Sequence, residues 1–123
     1  LSEPCSVLLV DDDQGNREVL SRLLGRLGAF VTAFASGEPA VEWLKKSKAD
    51  LILLDWNLIG ISGTQTAARI KAEIHPCPPM VVVSGDDILS DKTNLENLGF
   101  SSSLLKPVRM SDLEVLLKTY CFS

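Results

Sequence analysis

The sequence predicts an α/β fold, a doubly wound five-stranded parallel sheet built as (βα)5 with helices on both faces. Three observations carry that expectation. Five short apolar runs alternate with five helical stretches over 123 residues, and such alternation is accommodated by right-handed crossovers between parallel strands. The runs that begin near residues 6, 51 and 80 are apolar almost throughout, as strands covered on both faces must be. Turn-forming or charged residues stop each run.

The elements follow in order. Ser6–Val10 is too short for a helix and rich in strand formers, and Asp11–Asp13 stop it. Val19, Leu20, Leu23, Leu24 and Leu27 recur with helical spacing, and Gly28 ends that helix. Val31–Phe34 is a weaker second strand. Ser36 can cap a helix carrying Val41 and Leu44, with Pro39 tolerated in its first turn. Leu51–Leu54 is the third strand, stopped by Asp55, and Gly60 and Gly63 punctuate the loop beyond. Ala67, Ile70 and Ile74 mark a third helix, closed by Pro76–Pro79. Met80–Val83 is the fourth strand, stopped at Ser84. Ile88, Leu95 and Leu98 give a weak fourth helix a sparse stripe. Ser103–Leu105 ends the fifth strand before Lys106 and Pro107. Ser111 and Glu114 have capping-box spacing, and Leu113, Leu116, Leu117 and Tyr120 line the last helix. Strands one, three and four should be central.

Composition narrows the function classes. Leu, Ile, Val and Phe make up 40 of 123 residues, enough for one packed domain, expected over 1–123. The longest aliphatic runs fall far short of the about 20 residues a membrane span needs, and no secretory signal is visible. Neither membrane contact nor export is therefore expected, and the location expected is cytoplasmic. A net charge of −4 with no basic stripe disfavours nucleic-acid binding. Cys5, Cys77 and Cys121 form no CxxC, so the expectation is three free thiols, with neither a zinc site nor a disulfide.

In such a sheet the site lies outside the carboxyl ends of the strands. That rule selects Asp11, Asp12 and Asp13 after strand one, Asp55 after strand three, Ser84 after strand four and Lys106 after strand five. Gathering Asp11, Asp12 and Asp55 costs roughly 1–4 kcal/mol per pair at about 4 Å, a cost that a bound cation relieves. Oxygen ligands without His or Cys suit Mg2+. Lys106 can neutralise phosphate charge and Ser84 can donate to a phosphate oxygen. Asp55 then has what a phosphoryl acceptor needs: a nucleophilic carboxylate beside a metal, a cation and a hydroxyl. Asp13 reads instead as a helix cap.

At these residues the chain resembles the response-regulator receiver domains of two-component signalling, over essentially its whole length. The resemblance is carried by LVDD at 9–12, LLDWN at 53–57, GISG at 60–63, VSG at 83–85 and LKP at 105–107, in that order. It implies the strand order 2-1-3-4-5. It implies phosphorylation of Asp55, magnesium held by Asp11, Asp12, Asp55 and the main-chain carbonyl of Asn57, and phosphoryl contacts from Ser84 and Lys106. The partners implied are a histidine kinase or a histidine phosphotransfer domain. Asn16–Arg17 resembles the receivers of hybrid sensor kinases, so a receiver belonging to a larger kinase or regulator is expected over a single-domain protein. The domain would catalyse its own phosphorylation and dephosphorylation without turning over a separate metabolite.

Three positions depart from the family pattern. Ser103 stands where the family usually has an aromatic residue, Ile59 where proline is frequent, and Ser84 where threonine is commoner. Other residues read as structural. His75 is a loop residue, Trp43 packs on a helix face, and Lys45, Lys46 and Lys48 form a solvated helix end. Trp56, next to the acceptor, is placed to report ion binding by fluorescence. Three competing readings stay open. A non-phosphorylated pseudo-receiver used for protein contacts is kept open by Ser103. An aspartate-based phosphatase would want a DxD pattern, which Asn57 breaks. A flavodoxin-like flavin carrier would want a phosphate cradle after strand one, where three aspartates repel phosphate.

Overall fold

The computed structural model describes residues 5–56, 63–85 and 92–121. β1 (Cys5–Val10) pairs on one side with β2 (Ala29–Phe34) and on the other with β3 (Leu51–Asp55). β3 continues to β4 (Met80–Ser84), and β4 to the edge strand β5 (Ser102–Leu105). All pairs are parallel, in the order β2-β1-β3-β4-β5. The three continuously apolar strands are the interior ones, and β3 and β4 are buried at every residue. β2 starts at Ala29, two residues before the run of apolar residues suggested.

The connections are α1 (Gln14–Arg26), α2 (Gly37–Lys46), α3 (Gly63–Glu73) and α4 (Lys92–Asn97), with α5 (Met110–Tyr120) after β5. Alternation along the strands splits the core in two. Val7, Leu9, Leu51, Leu53, Val81 and Val83 pack with Leu20 and Leu24 of α1 and Leu113, Leu116 and Leu117 of α5. Leu8, Val10, Ile52, Leu54, Met80 and Val82 pack with Ala40, Val41 and Leu44 of α2, Ala67 and Ile70 of α3, and Leu95.

The helix ends show how far local signals reach. Asp13 caps α1, its carboxylate accepting from the N–H groups of Gly15 and Asn16 at 2.8 and 3.3 Å. Gly28 follows that helix at φ 95°, a conformation glycine adopts without penalty. Ser36 is the N-cap position of α2, but its hydroxyl makes no capping bond. The expected cap at Ser111 is corrected: α5 begins two residues earlier. The Asp112 carboxylate accepts from the Arg109 N–H at 3.0 Å, so the helix takes the first acidic residue that reaches its N-terminal amides. α4 is described over Lys92–Asn97, and Ile88 of its expected stripe lies outside the described residues.

One further expectation is corrected. Cys5 and Cys121 are joined as a disulfide, with Cα atoms 5.6 Å apart, and Cys77 alone is free. Helices of this architecture run antiparallel to the strands they cover. The end of α5 therefore returns to the start of β1, a proximity hidden by 116 residues of separation. Lys45 is exposed, as expected of a solvated helix end, and it also bridges Glu42 and Glu73, both at 3.0 Å, tying α2 to α3. Trp43 packs as expected, its ring 6.3 Å from that of Phe34. Among the described residues no helix is long and apolar enough to cross a membrane.

Candidate functional site

Strand register builds the site. Val10 and Leu54 are the last ladder pair between β1 and β3, so Asp11 and Asp55 come next, side by side. The Asp11 N–H donates to the Phe34 carbonyl at 3.1 Å, and the Trp56 N–H donates to the Val83 carbonyl at 3.0 Å. Beyond β5, the Lys106 N–H donates to the Ser84 carbonyl at 2.8 Å. Asp11, Asp55, Ser84 and Lys106 are thus positioned through neighbouring strands. A cis peptide bond joins Lys106 to Pro107.

Asp11, Asp55 and Ser84 are 1%, 5% and 1% exposed, depths at which a carboxylate or hydroxyl needs partners. Asp11 Oδ1 accepts from the Asp13 N–H at 2.9 Å. Lys106 Nζ lies 3.3 Å from Asp55 Oδ1 and 3.9 Å from Asp11 Oδ2. Asp12 is half-buried, and one oxygen from each of Asp11, Asp12 and Asp55 lies within 4.8 Å of the other two.

Three carboxylates face the Lys106 ammonium in this corner. Ligand oxygens about 2.1 Å from an octahedral magnesium stand roughly 3 to 4 Å apart, so the donor set fits a hard divalent ion with slight closure or a bridging water. The nitrogen and sulfur ligands that a zinc site prefers do not occur in this cluster.

The structure therefore brings together Asp11, Asp12, Asp55 and Lys106, and puts Ser84 at the end of the adjoining strand. Asn57, Ile59 and Gly60 lie outside the described residues. Ser103 is half-buried and lines a shallow groove of about 270 Å³ with Leu95, Glu96 and Phe100. A second groove, about 350 Å³ and mostly apolar, runs beside Lys106 between Val19 and Leu20 of α1 and Pro107 and Val108.

Two residues of the site were named in the sequence without being given a part in it. Gly63, read as loop punctuation, opens α3 pressed against the end of β3. Its N–H donates to the Trp56 carbonyl at 3.1 Å. A Cβ at this position would stand 2.5 Å from the Asp55 carbonyl oxygen and 2.6 Å from that of Trp56. Arg17 donates from Nη1 to the Asp11 carbonyl at 2.8 Å. The available signal was its position four residues after the capping Asp13, one turn into α1 and facing back toward the loop.

Comparison with known proteins gives a consistent result. Residues 7–118 match the family model described as the response regulator receiver domain. The chain is 33% identical over 116 residues to the positive alginate biosynthesis regulatory protein of Pseudomonas aeruginosa, covering 92% of this chain and 46% of that protein. It is 30% identical over 117 residues to the aerobic respiration control sensor protein ArcB of Escherichia coli, covering 94% of this chain and 15% of the sensor. It thus spans less than half the length of either relative. Among solved structures, the receiver domain of the sensor histidine kinase PA1611 of Pseudomonas aeruginosa superposes with a TM-score of 0.86 at 28% identity. The match covers 98% of this chain and all of that one, and a magnesium ion is coordinated in that structure's active-site cleft.

Proposed function

The chain belongs to the response regulator receiver domain family, and from that premise we propose that Asp55 accepts a phosphoryl group from the phosphohistidine of a partner histidine kinase or histidine phosphotransfer domain. The observation that carries the proposal is the buried Asp55 carboxylate, 3.3 Å from the Lys106 ammonium and beside the oxygens of Asp11 and Asp12. In this reading residues 1–123 act as one receiver domain.

The transfer breaks the P–N bond of the phosphohistidine and forms a P–O bond to an Asp55 carboxylate oxygen, and the electron pair returns to the imidazole. The Lys106 ammonium meets a phosphoryl oxygen, and the Ser84 hydroxyl donates to another. Asp11, Asp12, Asp55 and the Asn57 carbonyl would hold Mg2+, which supplies charge neutralisation to the transferred group. Hydrolysis of the acyl phosphate by water releases inorganic phosphate and returns the Asp55 carboxylate. The apolar groove beside Lys106 offers the partner a surface next to the acceptor, and the exposed Val19 on its edge suits contact with a helix that brings a histidine to Asp55.

A cytoplasmic location accompanies this reading, since phosphohistidine donors of this class work there. The pseudo-receiver reading retains one favourable observation, the absence of an aromatic ring at Ser103.

The test is intact mass after incubation with a small-molecule phosphodonor and Mg2+. Wild type should gain about 80 Da, one phosphoryl group, and Asp55→Asn should gain nothing. Equal labelling of the two proteins refutes the acceptor, and no labelling of wild type favours the pseudo-receiver.

A further inference from the structure

Hydrogen bonds close the loop between β1 and α1 into a ring. Asp11 Oδ1 accepts from the Asp13 N–H at 2.9 Å. Asp13 Oδ1 accepts from the N–H groups of Gly15 and Asn16. Arg17 completes the circuit: its N–H donates to the Asp13 carbonyl at 3.0 Å, and its Nη1 reaches back to the Asp11 carbonyl at 2.8 Å. Asp12 lies between two residues that are tied on both sides, so the direction of its carboxylate is set by how this ring is curved.

A guanidinium in that position is not accounted for by charge. A fixed cation next to a cluster that binds a cation weakens that binding by repulsion. Arg17 also meets a carbonyl here, not a carboxylate, and its side chain is half-buried. What the contact does supply is shape, because it straps the end of β1 to the first turn of α1.

We propose that Arg17 is a positioning residue for the metal site, holding the 11–13 loop so that the Asp12 carboxylate faces those of Asp11 and Asp55. The inference rests on the magnesium reading given above. It predicts a sign that electrostatics alone reverses. Loss of the charge by itself tightens Mg2+ binding. Loss of the strap weakens it, by about 10-fold on the scale of groups that orient metal ligands.

The experiment is a magnesium titration of the 123-residue chain, followed by Trp56 fluorescence in a Trp43→Phe background and by calorimetry. Wild type, Arg17→Met and Arg17→Lys are compared at low and high ionic strength. Arg17→Met should bind Mg2+ about 10-fold more weakly, with a ratio to wild type that survives added salt. Arg17→Lys should fall between them, since an ammonium can still donate to the Asp11 carbonyl but lacks the rigid planar fork that fixes the strap. Tighter or unchanged binding by Arg17→Met, or a difference that salt abolishes, overturns the proposal. If Arg17→Met does not fold, as judged by its metal-free melting curve, Arg17→Lys decides alone: weakened binding supports the strap, wild-type binding overturns it. A wild-type protein that does not respond to magnesium overturns the metal reading itself, which is a different failure.

Discussion

The ammonium of Lys106 stands 3.3 Å from Asp55 Oδ1 across 51 residues of chain, and 3.9 Å from the neighbouring carboxylate of Asp11. Two buried acids therefore share one cation that is itself only partly exposed. The pairing makes β5 a participant in the charge balance of β1 and β3, with β4 between them.

Removing that cation exposes its contribution. Lys106→Met should lower the stability of the metal-free protein by about 2 kcal/mol, the scale of a charge-assisted bond to a buried acid. Urea denaturation measures it. Magnesium should then raise the melting temperature of the variant more than that of wild type, because the ion meets less compensated charge. Equal metal-free midpoints would mean that the pair contributes nothing.

Metal linkage gives a second outcome. At ten times its Kd a bound ion stabilises the native state by about 1.4 kcal/mol, about 5 °C for a domain of this size. Asp12→Ala should cut that shift by more than half. It should also raise the metal-free melting temperature, since one of three crowded carboxylates is gone. Thermal melts with and without Mg2+ read both effects.

Gly63→Ala should be costly for its size. The added methyl would meet main-chain atoms of Asp55 and Trp56 within 2.9 Å, and backbone cannot step aside as a side chain tip can. Withdrawal of α3 should cost about 2 kcal/mol, read from the urea midpoint. It should also weaken the magnesium response, because α3 braces the segment that carries Asp55.

The α2–α3 surface should make stability depend on acid. Arg69 and Lys45 hydrogen-bond to Glu73 and lower its pKa from 4.5 to about 2. Lys45 and Arg69 lower that of Glu42 as well. A depressed carboxylate contributes stability that is fully present above its unfolded pKa and is lost as pH falls through the folded one. The difference between wild type and Glu73→Gln should thus be constant above pH about 5 and vanish toward pH about 2. It should shrink in high salt, because these groups are partly exposed. Urea midpoints across that range test the sign.

Phosphorylation of Asp55, if it occurs as proposed, should be felt first in α4, whose apolar stripe is sparse. A Ser84 hydrogen bond to a charged phosphoryl oxygen is worth roughly 1.5–3 kcal/mol, enough to bias a two-state segment by about 10- to 150-fold. Beryllofluoride should change hydrogen exchange mainly between Ser84 and Ser103, and little in α1. Ser84→Ala should blunt the change while Asp55 remains phosphorylatable. A response confined to residues 55–63 would point to another signalling face.

Legibility in the sequence tracked the range of the interaction. Continuous apolar runs located β1, β3 and β4, and the strand-end rule located Asp11, Asp55, Ser84 and Lys106, because a parallel sheet converts sequence order into spatial order at one edge. Asp13 was readable as a cap since its partners are two and three residues away. The α5 cap was misplaced because Ser111 and Asp112 both offer acceptors, and the choice depends on how β5 delivers the chain. The Cys5–Cys121 bond, the Lys45–Glu73 bridge and the Arg17 strap were not legible. Each depends on how a helix is rotated over its neighbours, which no local pattern states.

The sheet that separates the two apolar clusters is a wall one residue thick. Leu8 and Leu9 are covalent neighbours, yet they belong to opposite compartments. Leu9 shares its compartment with Leu117, more than a hundred residues away along the chain. Energetic kinship in this molecule should follow compartment, not sequence. Truncations of Leu9 and Leu117 should show thermodynamic coupling, while those of Leu8 and Leu117 should sum independently. Substitutions accumulating in one compartment would then be compensated from within it, leaving two half-independent histories written alternately along the same strands.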